Sequence, residues 1–438
     1  MTGVPAPPTI RRGSNLPRVG GYNQVVVLEA IRHHPEGLSR VELASATGLS
    51  PQAVSNICRR LLDDDLVVEA GRRASGPGKP RTLLRLQPSG RYAVGVHLDP
   101  AVVSHVLLDL TGQPVARSAR ALRPGADPDE VLRDVVEDVD RLVAGSGIDP
   151  GRLVGLGVAA PGPVDRDAGA LVRPPNLPGW ERVAVRDTLA DATGLPVLLD
   201  KDVVAAAVGE VWAGGLGPGA TAVFLYLGTG VGAGLVVGGE VLRGASGNAG
   251  EVGHLGTGAT GPSCWCGLGG CLGEVCAPGQ VVRRAVREGI GHWDLDPAAP
   301  DLTDPDGPTV PPPAGDPLHP GASVLVAFDA FCDLADAGDS RALALLEDWA
   351  RHVAKSVTDL VDVLDADQVV FGGPLWARLS PTFLTHVPGL VRDRAVGAAI
   401  HPIAVRGTVL GPDVAAVGAA STVLDHAFSA RSSALLVD

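Results

Sequence analysis

The densest chemistry in the chain lies between His254 and Cys271. His254, nine residues, Cys264-Trp265-Cys266, four residues and Cys271 bring one imidazole and three thiols into a short stretch. Three thiolates and one imidazole fill a tetrahedral shell around Zn²⁺ and leave no position for water, so the spacing predicts a structural metal, not a catalytic one. The chain has 6 cysteines, and a disulfide framework would spread them out. Three of them, Cys264, Cys266 and Cys271, are clustered instead, and read as metal ligands in a reducing compartment.

A second constellation is built to meet a polyanion. From Leu38 to Ser55 the chain has the logic of a helix-turn-helix: Ala44 is small enough for close helix contact, Gly48 permits the tight turn, and Leu49 and Val54 anchor the second helix. Gln52, Ser55 and Asn56 remain at the exposed start of that helix, where Gln and Asn can address adenine edges, while Arg59 and Arg60 reach phosphates. Val67-Val68-Glu69 and Leu83 to Leu86 are expected to pair as strands around a Gly/Pro-rich tip from Gly71 to Arg81. With Arg40, the cations Arg72, Arg73, Lys79 and Arg81 complete a basic wing suited to a groove rim. A three-helix protein-interaction module with a solvated loop is the plainer alternative. The joint presence of turn, polar face and wing favours double-stranded DNA.

These sites need scaffolds. A chain of 438 residues suits two or three domains. With 45% hydrophobic but 3% aromatic residues, its cores must be built from Ala, Val and Leu in a mixed α/β fold. The net charge of −13 excludes a protein that coats nucleic acid with its whole surface. The first 90 residues nevertheless hold 12 Lys and Arg against 7 Asp and Glu, a basic head on an acidic body. No apolar signal core is evident near Met1, and no run approaches the ~18 apolar residues of a membrane span. The expected location is cytoplasmic, with no membrane partner.

Residues 1–20 read as a disordered tail and 21–88 as the DNA-binding module. Val25, Leu28 and Ile31 mark its first helix, Val41, Leu43 and Ala44 its second, and Val54, Ile57, Leu61 and Leu62 its third. Strands and helices alternate from Tyr92 to the end, interrupted by a Pro- and Asp-rich insertion at about 294–321. Three Gly-rich segments, Gly228 to Gly234, Gly372-Gly373-Pro374 and Gly411 to Ala420, follow the order of a two-lobed nucleotide-binding fold. Each taken alone also fits a tight turn between buried strands.

From about residue 22 to 427 the sequence resembles the ROK family (repressors, open reading frames, kinases). Ala249-Gly250-Glu251-Val252-Gly253-His254, the cysteine cluster, Ala160-Pro161-Gly162-Pro163-Val164-Asp165, Asn176-Leu177-Pro178-Gly179-Trp180 and the fused winged helix carry the resemblance. It implies a two-lobed, actin-like ATPase (ribonuclease H-like) domain over about 91–427. Lobe 1 would span about 91–203 plus a C-terminal helix at about 413–427, and lobe 2 about 204–412. It also implies a homodimer or dimer of dimers, and a sugar cleft holding hydroxyls through Asn176, Asp202, Glu251 and His254, with Asp202 matching the kinases' base.

The sequence also departs from the kinases. Their Asp-x-Gly-Gly-Thr phosphate loop reads His97-Leu98-Asp99-Pro100-Ala101 here, so a metal-organising carboxylate is lost, an anion is gained, and Pro100 removes an amide donor. Lys201 replaces the Asn before the base, and Gly273 replaces a sugar-contacting Glu, with Glu274 displaced by one. The expectation is a repressor on a palindromic operator, with no enzymatic activity and no catalytic residue. Its effector would be a sugar or, if Lys201 attracts an anion, a sugar phosphate. The plainer reading of Lys201 is an ion pair with Asp200 or Asp202. The rival functions are a sugar kinase and a ligand-independent regulator whose body only dimerises.

Overall fold

The computed structural model describes residues 20–73, 80–123, 125–174, 177–258, 263–264, 266–293 and 322–429. The tail expected at 1–20, save Gly20, lies outside the described residues, as do Lys79, Asn176 and the insertion at 294–321.

The chain opens with α1 (Gly20–Arg32), β1 (Leu38–Ser39), α2 (Arg40–Thr47) and α3 (Pro51–Asp63), followed by β2 (Val67–Arg73) and β3 (Arg81–Leu86) in a sheet of order β1-β3-β2. Local chemistry sets the boundaries. Ser39 and Glu42 form a reciprocal capping box on α2, Gly48 ends it in the left-handed region at φ 71°, and Ser50 caps α3 ahead of Pro51. Leu43, Val54, Ile57 and Leu61 are buried as expected, but Val41 is 58% exposed and Val25 only half-buried, because α1 turns Val26, Val27 and Ile31 inward. The wing strands run further than expected: Arg72 pairs with Thr82 and Arg73 with Arg81, past an irregularity after Glu69 that Gly71 allows at φ 82°.

The body begins with β4 (Tyr92–Leu98), β5 (Val102–Asp109), β6 (Pro114–Ala121), α4 (Pro128–Ser146) and β7 (Leu153–Ala160). A small sheet of β8 (Val164–Asp165), β9 (Ala170–Val172) and β10 (Arg182–Val183) follows, then α5 (Val185–Thr193), β11 (Val197–Lys201) and α6 (Asp202–Trp212). The second half holds β12 (Ala222–Leu227), β13 (Val231–Val237), β14 (Glu240–Leu242), α7 (Leu272–Val275), α8 (Pro278–Arg287), α9 (Ala322–Asp336) and α10 (Ser340–Leu364). It ends with β15 (Gln368–Gly372), α11 (Trp376–Arg394), β16 (Ala404–Gly407) and α12 (Val414–Phe428).

The two large sheets share one plan. The orders β6-β5-β4-β7-β11 and β14-β13-β12-β15-β16 each join an antiparallel meander to two parallel strands. Between them, α12 lies on β4 and β7, α6 lies on β13, and the two helices pack on each other. Glycine makes this contact possible. A Cβ on Gly95, Gly157 or Gly418 would sit 2.0, 1.9 or 2.0 Å from the carbonyl oxygens of Ala416, Ala419 and Ala205. The Gly-rich segment from Gly411 to Ala420 therefore serves helix packing. Among the described residues no helix is long and apolar enough to cross a membrane.

The N-terminal winged-helix module is docked on the body by several contacts, two of them made by Arg32 and Arg152. At the first, Arg32 Nη1 donates to the last carbonyls of α6, Val211 O at 3.1 Å and Trp212 O at 2.9 Å, with its guanidinium 4.5 Å over the Trp212 ring. At the second, Arg152 donates to Ser89 O at 2.8 Å and to Asp65 at 3.1 Å. The Arg32 side chain is only 8% exposed, so Arg32→Ala leaves buried carbonyls unpaired, at about 1–3 kcal/mol each. It is expected to speed proteolysis within α1 markedly, whereas Arg152→Ala, at a more exposed contact, changes it little. Equal rates in the two variants would contradict this ranking.

Candidate functional site

The site at the centre of the body is assembled where β11 runs into α6. Asp202 opens that helix, its Oδ1 accepting from Val203 N at 2.7 Å, where a carboxylate also meets the positive end of the helix dipole. Burial pushes the Asp202 carboxyl up, against the pull of His97 and Lys201 beside it. His97, at the end of β4, is buried and meets the Tyr226 ring edge-to-face at 6.1 Å.

Lys201 pairs with neither expected partner. Its buried ammonium lies 2.5 Å from Glu251 Oε1, across the cleft, while Asp200 is held by Arg166 at 2.8 Å and Arg243 at 3.1 Å. The correction has a geometric cause for Asp200: successive strand residues face opposite ways, so Lys201 at the end of β11 points away from it. Gly162 lies against the Lys201–Glu251 pair, where a Cβ would stand 3.4 Å from both side chains. Asn248 fixes that loop by accepting from Val164 N at 2.7 Å and donating to Val164 O at 2.8 Å. Asn248 is a positioning residue that sequence reasoning missed; its short amide in a Gly-rich run before Glu251 was the available signal.

The turn after β4 is closed from within. Asp99 is buried; its Oδ1 accepts from Ala101 N at 2.9 Å and its Oδ2 from the Thr229 hydroxyl at 3.3 Å, on the turn between β12 and β13. One carboxylate thus ties the turn after β4 to the glycine-rich turn between β12 and β13.

Past Glu251, His254 Nδ1 stands 3.3 Å from Cys264 Sγ, and Cys266 Sγ stands 3.5 Å from Cys271 Sγ. The four ligand atoms lie within 4.8 Å of one another, so His254, Cys264, Cys266 and Cys271 form a group that could hold a metal ion. A tetrahedral centre with bonds of about 2.0–2.3 Å separates its ligands by roughly 3.5–3.8 Å, which the cluster nearly matches. Burial pushes the Cys264 and Cys271 thiols up; a dication in their midst reverses that preference.

On the DNA-reading module, Gln52, Asn56, Arg59 and Arg60 are exposed along one side of α3. Gln52 donates to Asn56 at 3.4 Å, and the Ser55 hydroxyl donates to Pro51 O at 2.8 Å within its own helix. Two expected cations are engaged: Arg40 with Glu69 and Arg73 with Glu42, both at 3.5 Å, which ties wing to α2. Arg72 and Arg81 are exposed on the strands flanking the tip.

A winged helix joined to two sheets of one topology around a polar cleft defines a class, that of actin-like sugar-kinase folds carrying a DNA-reading head. The model of the ROK family matches residues 94–426, and that of the MarR family residues 15–76; this chain belongs to the ROK family. A xylose repressor of Caldicellulosiruptor bescii is 28% identical over 61% of this chain and 67% of that protein. A glucokinase of Halalkalibacterium halodurans is 29% identical over 75% and 94%. A solved structure described as a ROK family transcriptional regulator, homologous to the E. coli MLC protein, covers 94% of this chain and 97% of its own at TM-score 0.69 and 20% identity.

Metal analysis of the purified protein is expected to find one tightly held ion per chain, lost on joint replacement Cys264→Ser and Cys266→Ser. A metal-free preparation with unchanged melting behaviour would show the cluster to be four unligated side chains.

Proposed function

We propose that this chain is a transcriptional repressor whose α3 reads double-stranded DNA and whose cleft senses a sugar or sugar derivative without phosphorylating it. The observation that carries the reading is a pairing: an exposed polar and basic α3 at one end, and at the other a turn closed by the Asp99 carboxylate. By resemblance the turns at Asp99 and Thr229 face nucleotide phosphates in the kinases. Here Asp99 takes an amide and a hydroxyl from them, and its charge repels a triphosphate. Phosphoryl transfer rests on positioning and charge neutralisation, so these changes abolish it.

The division expected from the sequence serves this reading. Residues 21–88 bind DNA through Gln52, Asn56, Arg59 and Arg60, with Arg72, Arg81 and Lys79 on the wing; Arg40 and Arg73 first leave their carboxylates, and Ser55 turns from Pro51. Residues 91–427 form two lobes with the cleft between them, where Asn176, Lys201, Asp202, Glu251 and His254 address hydroxyls. His254, Cys264, Cys266 and Cys271 hold a structural Zn²⁺, which supplies rigidity and keeps the imidazole oriented at the cleft. A homodimer or dimer of dimers sets two winged helices on a palindromic operator. Closure of the lobes on an effector moves α6, and Arg32 passes that movement to α1, a coupling typically worth about 1–3 kcal/mol.

One observation favours the rival, a ligand-independent regulator: the Lys201–Glu251 pair ties up two hydroxyl-binding candidates. An effector then has to displace that pair, and an anionic sugar does so by taking over the Lys201 ammonium. Calorimetry with matched sugars and sugar phosphates separates these readings.

The DNA assignment is tested by anisotropy with operator fragments recovered by genome-wide mapping. Joint Arg59→Ala and Arg60→Ala is expected to weaken binding to all sequences and flatten the log–log salt dependence by about 0.9 per lost phosphate contact. Gln52→Ala or Asn56→Ala should cost about 1–3 kcal/mol at one base pair and relax specificity there. Unaltered binding by all of them would remove α3 from the interface.

The absence of kinase activity is tested separately. With ATP, Mg²⁺ and a panel of hexoses and amino sugars, no phosphorylated product is expected. Transfer that vanishes on Asp202→Asn would overturn this part of the reading and leave the DNA assignment standing.

A further inference from the structure

The seam between the DNA-reading module and the body is not filled. Between α1 and the end of α6 lies a cavity of about 730 Å³, walled by Val26, Ala30 and Leu86 on one side and by Trp212, Leu216 and Pro218 on the other. Small-molecule sites are typically concavities of about 300–1,000 Å³, mostly apolar and often at domain boundaries. Elsewhere around this seam the apolar surfaces do meet, since one buried cluster runs from Ile57 and Ile31 through Trp212 to Ala205 and Val417.

The polar groups on the wall define what it can take. Arg32 is engaged by Val211 O, Trp212 O, His33 and, at 3.9 Å, Glu29. Arg85 donates to Glu36 O at 3.2 Å and pairs with the Glu36 carboxylate at 3.8 Å. Burial, with Arg32 and His34 nearby, holds His33 down to about 3, so its ring is neutral near pH 7. The His34 ring nitrogen Nδ1 lies 2.8 Å from Ala30 O, and Glu240 too has a partner. Every charged side chain on the wall is therefore matched, and a charged guest would enter uncompensated. The exposed Gln113 side-chain amide lines the same wall, and the Thr111 hydroxyl, which donates to Asp109 at 2.6 Å, still has lone pairs to offer. The rim at Gly215, Gly217, Gly219 and Gly238 is bare backbone, where a Cβ would meet nothing within 4 Å.

We propose that this seam cavity is a binding site for a neutral small molecule with a largely apolar body and one hydrogen-bonding group, separate from the polar cleft at Asp202. The fit is to apolar area, an amide and a hydroxyl, with no unmatched charge. An occupant lies against Trp212, the ring that supports the Arg32 guanidinium, and so bears directly on the contact that fastens α1 to α6. This goes beyond the sugar-sensing reading and does not depend on it.

The probe is Nile red, a neutral apolar dye, titrated into the full-length protein without DNA. Saturable binding of one dye per chain is expected, with slowed deuterium uptake in 26–35 and 211–219. Gly217→Leu and Leu86→Trp, which add bulk to opposite walls, should each weaken the dye at least tenfold while the melting temperature stays close to that of the parent. The exposed apolar corner at Val363, Val396 and Ile400 is the competing surface, and Ile400→Ser should leave the affinity unchanged. The anionic dye anilinonaphthalene sulfonate should bind at least tenfold more weakly at the seam. Non-saturable binding, loss of the dye on Ile400→Ser, protection outside both segments, or seam binding of the anionic dye with equal affinity would each overturn the proposal.

Discussion

The whole body hangs on the crossing of α6 and α12. Each helix covers one large sheet, and they meet at backbone distance because Gly418 presents no side chain to Ala205 and Gly209 none to Gly418. Contact this close has little room for adjustment, since protein interiors are packed as densely as organic crystals. Asp202 and Lys201 sit where β11 enters α6, with Glu251 paired to Lys201.

The same helix reaches the DNA-reading module. At about 1.5 Å per residue, α6 spans roughly 16 Å, with the Asp202 carboxylate at its positive end and the Arg32 guanidinium, contributed by α1, at its negative end. Both charges favour the dipole they meet. Held at both termini, α6 is a continuous structural route from Asp202 to α1. The buried cluster shared by Ile31 and Trp212 gives that route an apolar floor.

What the sequence revealed followed the range of the interactions. The turn at Gly48 and the His254 to Cys271 cluster are local, so spacing alone located them. Strand ends were less legible: Gly71 reads as the start of a loop, yet its positive φ serves an irregularity inside the ladder, and Arg72 and Arg73 remain paired beyond it. The partners of Lys201 and Arg32 were invisible, because Glu251 lies 50 residues away and Trp212 180. Nearby carboxylates at Asp200 and Asp202 instead suggested the wrong pair. The shared topology of the two large sheets left no repeat in the sequence either, since hydrogen-bond order constrains only which residues alternate inward.

Charge placement at the Asp99 turn is unlike that expected of a phosphate-binding turn. A kinase turn must offer unengaged amides and hydroxyls to an incoming anion and tolerate its charge. Here Asp99 is covalently part of the turn, so it reaches the Ala101 amide and the Thr229 hydroxyl as an intramolecular partner, without the translational and rotational entropy that a separate ligand must lose on binding. A nucleotide would have to displace it and then lie beside it. The same carboxylate links a turn of one large sheet to a turn of the other.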